Sequence, residues 1–457
     1  MKPSRRLLVL MSIMASFTLI AAACGDSGST NTAEPTTTAA AVTTTSAAAT
    51  ATTTTAAPAP DPTASLDDSL GLVTVGDGED IQIRSLEAIT GDVAFLGIPN
   101  ERGTVLAIAD YGDIAGHKVN MGTGLDDLCS ADGGQAAAQT IVADEQVVGV
   151  IGTSCSGAAT AAAPLISEAG MVMISGSNTS PALTSDLQGN AGANWVPGYY
   201  RTAHNDLFQG KAAATFAFEN LGVTTAAAIH DGDPYTNGLA TAFKDAFEAL
   251  GGTITGFTAV NKGDTDMVPV LTDIASGSPE LIFFPIFQPE GDFIAQQVGG
   301  VAGLEDVILM AADGLLNDNY LPIAETKDMY FSGPDTRYGS NTNESTGKSA
   351  QDFLDTYQSE YGEAPSAPFW AHSYDATVLL LDAIKNSSVD DNGTLTISRA
   401  GVRDYLNNVS GFSGLIGSLS CDDFGDCGSQ KITVIQNTTP DDVAASKENV
   451  VFEFAPA

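Results

Sequence analysis

The chain has 457 residues and a formal net charge of −38, from 56 acidic and 18 basic side chains. Such a surface repels phosphate backbones and anionic headgroups, which argues against nucleic acid as a partner. Hydrophobic residues make up 43% of the chain, enough for a large core, and the length suits a two-lobed or two-domain body.

The first residues read as an export signal. Lys2, Arg5 and Arg6 form a basic start, Leu7 to Ala23 is apolar, and Ala21, Ala22 and Ala23 lead into Cys24. This arrangement resembles the bacterial lipobox, with Ala21 where Leu is more usual. Residues 1–23 are therefore expected to be a cleaved signal peptide and Cys24 the site of lipid attachment. Residues 24–65 are rich in Thr, Ala, Ser and Pro and lack aromatics, so they cannot bury enough surface to fold. They are expected to be a tether. No later stretch has the length and apolarity of a membrane span. The expected location is extracytoplasmic, anchored by lipid to the outer face of the cell membrane.

Cys129, Cys155, Cys421 and Cys427 remain, an even number in an oxidising compartment, with three possible pairings. Cys421 and Cys427 lie within CDDFGDC and can close a small loop; Cys129 with Cys155 then follows. No CxxC or Cys/His spacing supports a metal site among them.

Beyond the tether, helix and strand patterns alternate. In chain order they are a helix over 133–144, a strand over 147–152, a helix over 158–169 and a strand over 171–175. Then come a helix over 206–221, a strand over 224–230, and helices over 237–250 and 267–276. A strand over 281–287, a helix over 291–301 and strands over 307–312 and 431–436 complete the series. This alternation predicts parallel sheets with helices on both faces, and the length calls for two such sheets.

In open parallel sheets, ligands bind beyond the carboxyl ends of the strands. Two of these ends carry hydroxyl-rich loops: Thr153-Ser154-Cys155-Ser156-Gly157, and Gly176-Ser177-Asn178-Thr179-Ser180-Pro181. Each is expected to open onto a helix amino terminus, with Ser180 as cap and Pro181 in the first turn. Free N–H groups and the helix dipole there favour a carboxylate. Other strand ends offer Tyr235, Phe287 and Asp313, which suit an ammonium group and a side chain. Together they complement a zwitterion. Taken singly, each feature reads as a helix cap or a turn.

The strings Ile81–Val119, Asp126–Thr184, Ala226–Ala240 and Leu281–Gly291 resemble the leucine/isoleucine/valine-binding proteins of ABC importers. That resemblance covers nearly the whole body after the tether. It implies a type I periplasmic-binding fold, α/β, with two lobes of parallel sheet joined by three hinge crossings. It implies lobe 1 from residues 66–202 and 336–415, and lobe 2 from 203–335 and 416–457. The crossings would lie near Tyr200–His204, Gly333–Arg337 and Gly414–Leu419. The resemblance also supports a Cys129–Cys155 bridge. On the matched positions, Ser156 would hold a ligand carboxylate, and Thr179 carboxylate and amine. Ser177 would offer its carbonyl to the amine, and Asp313, where Glu is usual, would pair with the ammonium. Tyr235 and Phe287 would be aromatic walls, Phe287 standing where Tyr is usual. Leu96 stands where the family pocket often has Tyr or Trp. The implied partners are an amino acid, branched-chain or related, and ABC permease subunits, with the chain acting as a monomer.

Enzyme patterns are missing. His117, His204, His230 and His372 form no HExxH motif or close metal pair, and no G-x-S-x-G elbow or phosphate-binding glycine motif occurs. Asp390–Ser398 reads as a turn before a helix, lacking the glutamate of a calcium loop. No cofactor is expected. A second reading of the same fold is a sensor module that takes an amide or a small carboxylic acid.

Overall fold

The computed structural model describes residues 62–456. The signal peptide, Cys24 and the tether as far as residue 61 lie outside the described residues. The tether expected to run to residue 65 ends in a 3-10 turn, Pro62–Ser65.

Lobe 1 begins with β1 (Leu72–Val75), β2 (Ile81–Glu87), α1 (Ala94–Tyr111), β3 (Val119–Asn120) and β4 (Leu125–Asp126). It continues with α2 (Ala131–Val142), β5 (Val147–Gly152), α3 (Ser156–Glu168), β6 (Val172–Ser175) and β7 (Tyr199–Arg201). These form a parallel sheet in the order β3-β2-β5-β6-β7, with β4 also paired to β2. Every residue of β5 is buried, because α2 and α3 cover one face of the sheet while α1 and a later helix cover the other. That two-sided burial is why the strand reads as an unbroken apolar run.

The chain then builds lobe 2 with α4 (Asp206–Thr215), β8 (Thr225–His230), α5 (Pro234–Ala249), β9 (Thr253–Ala259) and α6 (Val268–Ala275). There follow β10 (Leu281–Phe283), α7 (Glu290–Val298), β11 (Ile308–Ala311) and β12 (Tyr330–Pro334). It returns to lobe 1 for α8 (Ala350–Tyr361), α9 (Trp370–Asn386), β13 (Ser388–Asp391), β14 (Thr394–Ser398), α10 (Arg399–Asn407), β15 (Phe412–Gly414) and β16 (Gly417–Leu419). It ends in lobe 2 with β17 (Ile432–Gln436), α11 (Val443–Glu448) and β18 (Val450–Phe454). The second sheet runs β18-β17-β12-β11-β10-β8-β9, parallel from β12 to β9 and antiparallel at the β17 and β18 edge.

Several expectations are corrected. The strand expected to reach Phe287 stops at Phe283, because Ile286 N turns back to Phe284 O at 2.9 Å and leaves the ladder. No full helix follows Ser180: Pro181–Leu183 is one 3-10 turn without a side-chain cap. Residues 390–398 lie within the β13–β14 hairpin, which pairs with β1. The third crossing is not at Gly414–Leu419. There, β15 and β16 form a hairpin, and Leu415, Ile416 and Leu419 are buried in the lobe 1 core. Buried Asp375 pins the hairpin by accepting from Leu415 N and Ile416 N, both at 2.9 Å. Lobe 1 therefore keeps the chain through Cys427, also in its core, and the passage to β17 spans 428–431.

Both expected disulfides are present, Cys129–Cys155 and Cys421–Cys427. The first joins the segment after β4 to the loop that opens α3. Its partners are 26 residues apart in sequence, so loop closure contributes about 3 kcal/mol in the chain-entropy model. The Cys129→Ser, Cys155→Ser double variant should lose about that much in urea unfolding. A loss near zero would show that residual structure already closes this loop in the unfolded chain.

Candidate functional site

The residues singled out in the sequence come together where the carboxyl ends of the two sheets face each other. On the lobe 1 side, β5 and β6 run out into the two hydroxyl-rich loops. Asn178 ties these together: its Nδ2 donates to Thr153 O at 2.9 Å, and its Oδ1 accepts from Thr153 Oγ1 and Tyr199 OH, both at 3.1 Å. Ser156 opens α3, and its Oγ accepts from Ser180 N at 3.3 Å, which leaves the hydroxyl hydrogen to donate. The Ser177 side chain is engaged within the lobe, donating to Ser154 O at 3.0 Å and accepting from Asn100 Nδ2 at 3.1 Å. The Ser177 side chain is thus taken up within lobe 1. Thr179 is buried and its Oγ1 has no hydrogen-bond partner.

On the lobe 2 side, Asp313 begins a short 3-10 turn after β11, and its Oδ1 accepts from Gln209 Nε2 at 2.7 Å. Tyr235 lies in the first turn of α5, where the N-cap Asp233 accepts from its N–H at 2.9 Å. Its hydroxyl accepts from Gly314 N at 3.2 Å and so fixes the Asp313-Gly314 turn. The Tyr235 and Phe287 rings pack with centroids 5.2 Å apart. Leu96 from α1 joins the same apolar cluster, together with Val93, Phe95, the Cys129–Cys155 bridge and Phe369. All seven predicted positions are buried.

The two lobes touch across this site. Lys262 of lobe 2 donates to Cys129 O of lobe 1 at 3.4 Å and lies 3.6 Å from Asp233 Oδ2. Asp233 itself covers Gly157: a Cβ on Gly157 would sit 2.4 Å from Asp233 Oδ2. Gly157→Ala should therefore displace the Asp233 carboxylate from its cap on Tyr235 N and weaken ligand binding by about tenfold, and a titration with native-like affinity would contradict this. At this edge Ser366 Oγ also donates to Phe95 O at 2.6 Å and Ser366 O accepts from Asp318 N at 3.2 Å.

One residue that the sequence reading missed dominates the electrostatics. Asp206, in the first turn of α4, is fully buried, and neither carboxyl oxygen has a hydrogen-bond partner. It faces Thr179 and Asp313, and burial with the nearby Asp313 charge pushes its pKa well above the usual range. Burial pushes Asp313 up to about 6, although the Gln209 hydrogen bond works the other way. His204 and His372 supply no counter-charge: burial lowers their pKa values to about 4 and about 3. Arg201 is already committed to Asp426, to Asn178 O and Ser180 O, and to Thr184 Oγ1. Two buried carboxyl groups and the Thr179 hydroxyl thus converge, and the cation that acts on Asp206, Arg201, is already paired with Asp426. Such a set is costly unless a donor-rich positive group completes it. Across from it, Ser156 and the amino end of α3 suit an anion. Among the described residues, no group of three or more His, Cys, Asp or Glu side chains is placed to hold a metal ion.

The chain is similar to known proteins over most of its described length. A Leu/Ile/Val-binding protein homologue of Brucella melitensis is 26% identical over 78% of this chain and 91% of its own length. The Leu/Ile/Val-binding protein of Escherichia coli is 26% identical over 69% of this chain and 75% of its own. The crystal structure of a leucine-binding protein from Thermotoga maritima superposes with a TM-score of 0.66 at 26% identity, over 78% of this chain and 95% of that one. A substrate-binding protein from Streptococcus pneumoniae, in complex with isoleucine, gives a TM-score of 0.65 at 23% identity, over 82% and 99%, a likeness of fold. The family model described as periplasmic binding protein matches residues 80–436, and the chain belongs to that family.

Proposed function

We propose that this chain is the extracytoplasmic solute-binding protein of an ABC importer, and that it captures an amino acid, branched-chain or related, between its lobes. The buried Asp206–Asp313–Thr179 set opposite Ser156 carries this reading, because it has the charge pattern of a zwitterion's receptor. Ser156 and Thr179 receive the carboxylate, Ser177 O, Thr179 and Asp313 the ammonium, and Leu96, Tyr235 and Phe287 the side chain. The ligand favours the lobe-to-lobe contact by touching both sides at once. Lipid attachment at Cys24 would hold the monomer beside its permease. The names of the relatives support the aliphatic class.

Calorimetric titration with leucine, isoleucine and valine against the matching carboxylic acids without the amine tests the reading. The amino acids should bind and the acids should not. Equal binding of both would remove the ammonium from the account.

The pH dependence has a definite sign. Asp313 rises from its ordinary 3.8 to about 6 in the folded protein. A raised carboxyl pKa stabilises the folded state at low pH, and that contribution is lost as pH rises from about 4 through about 6. Without ligand, Asp313 therefore lowers stability toward neutral pH. Ligand affinity moves oppositely, since protonating Asp313 below about 6 removes the partner of the ammonium. Titrations at pH 5 and pH 7.5 should show weaker binding at pH 5. Stronger binding at pH 5 would contradict the assignment.

A further inference from the structure

Glu87, the last residue of β2, is fully buried behind the ligand loops. Its Oε2 accepts from Ser154 Oγ at 2.5 Å, and that same Oγ accepts from Ala88 N at 2.9 Å. Its Oε1 has no hydrogen-bond partner, and neither has Oδ1 of the fully buried Asn100. The Asn100 side chain lies within hydrogen-bonding reach of the Glu87 carboxyl. With Asn100 Nδ2 given to Ser177 Oγ, Glu87 Oε1 and Asn100 Oδ1 are two buried acceptors left without a donor unless one of them holds a proton.

Turning the Asn100 amide over does not resolve this. Its Nδ2 would then serve Glu87, but Ser177 Oγ would have to donate to Asn100 Oδ1. Ser154 O would lose the hydrogen bond that Ser177 now gives it at 3.0 Å. The charged groups acting on Glu87 are Asp127, in the segment after β4, and Glu101, on α1, both acids. Burial is the main force against a negative charge on Glu87 and both acids add to it, outweighing the hydrogen bonds of Ser154 and Asn100 that favour the ionised form.

We propose that Glu87 is a positioning residue that acts as a carboxylic acid, accepting from Ser154 Oγ with one oxygen and donating a proton from the other to Asn100 Oδ1. The chain Ser154–Glu87–Asn100–Ser177 then closes on itself through Ser154 O. It fastens the loops after β5 and β6 to each other and to α1, and so sets where Ser156 and Thr179 meet the ligand. This role rests on the proposed binding function; the protonation does not. Ionisation of Glu87 at high pH would break the ring and loosen the cradle. That limb is opposite in sign to the acid limb of Asp313.

The test uses the full chain, with glutamate labelled at Cδ with carbon-13. At pH 7 one glutamate carboxyl should still resonate at the protonated position, and its signal should vanish in Glu87→Gln. Leucine titrations from pH 6 to pH 9 form the second arm. Wild-type affinity should fall toward pH 9, whereas Glu87→Gln, which keeps a donor and an acceptor but cannot ionise, should hold up by comparison. Glu87→Ala should bind about tenfold more weakly at pH 7, as expected for losing buried hydrogen bonds. Wild-type protein with every glutamate ionised at pH 7 would overturn the proposal, as would Glu87→Gln with an unchanged alkaline limb. Protein that shows the protonated resonance but binds no amino acid would leave Glu87 as assigned and defeat the proposed ligand class instead.

Discussion

Asp313→Ala should weaken an amino-acid ligand by about 3–5 kcal/mol, the cost of removing one partner of a buried charge pair. That is roughly a hundred- to a few-thousand-fold in Kd. The size follows from the surroundings. Asp313 is buried, its partner Gln209 is neutral, and both neighbouring imidazoles are held in the neutral form. An ammonium stripped of Asp313 would keep Asp206 nearby, but Asp206 has the more strongly disfavoured charge of the two. Asp313→Asn should recover part of the loss, since the amide oxygen can still accept. Asp206→Asn should also weaken binding. Titration of the three variants with leucine gives the comparison, and unchanged affinity in Asp313→Ala would remove it as the ammonium partner.

The second large effect concerns stability. Arg201 and Asp426 form an ion pair with side-chain exposures of 0% and 5%. The guanidinium also donates to Ser180 O at 2.8 Å, Thr184 Oγ1 at 2.7 Å and Asn178 O at 3.3 Å. Arg201→Met would leave Asp426 buried and unpaired and would leave these acceptors without their donor. The expected loss is about 3–5 kcal/mol in urea unfolding. Replacing both partners with apolar residues, as in Arg201→Met, Asp426→Leu, should restore part of it, because the uncompensated charge is then gone. Because Arg201 props the backbone of the Asn178–Ser180 loop, ligand affinity should fall in Arg201→Met even where the protein stays folded. A loss below about 1 kcal/mol would match a solvated surface pair instead.

What could be read from the sequence follows burial. Val147–Gly152 is covered on both faces and announces itself as an apolar run. The following loop with Ser156, and the Asp313 turn, stand at strand ends where ligands collect. The carboxyl-terminal third was harder. Every residue of α9 from Trp370 to Ile384 is buried, so no polar face marks it as amphipathic. At the other extreme, β9 is an edge strand with little full burial, and its apolar signal is weak. The β15–β16 hairpin looked like a crossing because its assignment to lobe 1 depends on Asp375, some 40 residues earlier in the chain.

The site shows the same limit. Asp206 in the first turn of a helix resembles an acid favoured by the helix dipole, yet Asn205 is the cap, accepting from Leu207 N at 3.0 Å, and Asp206 turns inward to Thr179 and Asp313. Glu87 sits in an alternating strand, Ile81–Glu87, whose pattern gives no sign that its last residue is fully buried. Both depend on partners distant in sequence, which spacing alone does not reveal. Ser156, Thr179, Tyr235 and Asp313 stand out as candidates in the sequence because loop chemistry and strand ends mark them locally.

The central claim is that the buried site receives an amino acid through both its charges. The most direct measurement is a thermal-unfolding screen of the protein at pH 7.5 against aliphatic amino acids, amides and small carboxylic acids. A ligand present at 100 times its Kd adds about 2.7 kcal/mol of stability. The account predicts a clear upward shift with leucine, isoleucine or valine and none with the corresponding acids that lack the amine. Stabilisation by amine-free acids or amides alone, with no response to any amino acid, would contradict it.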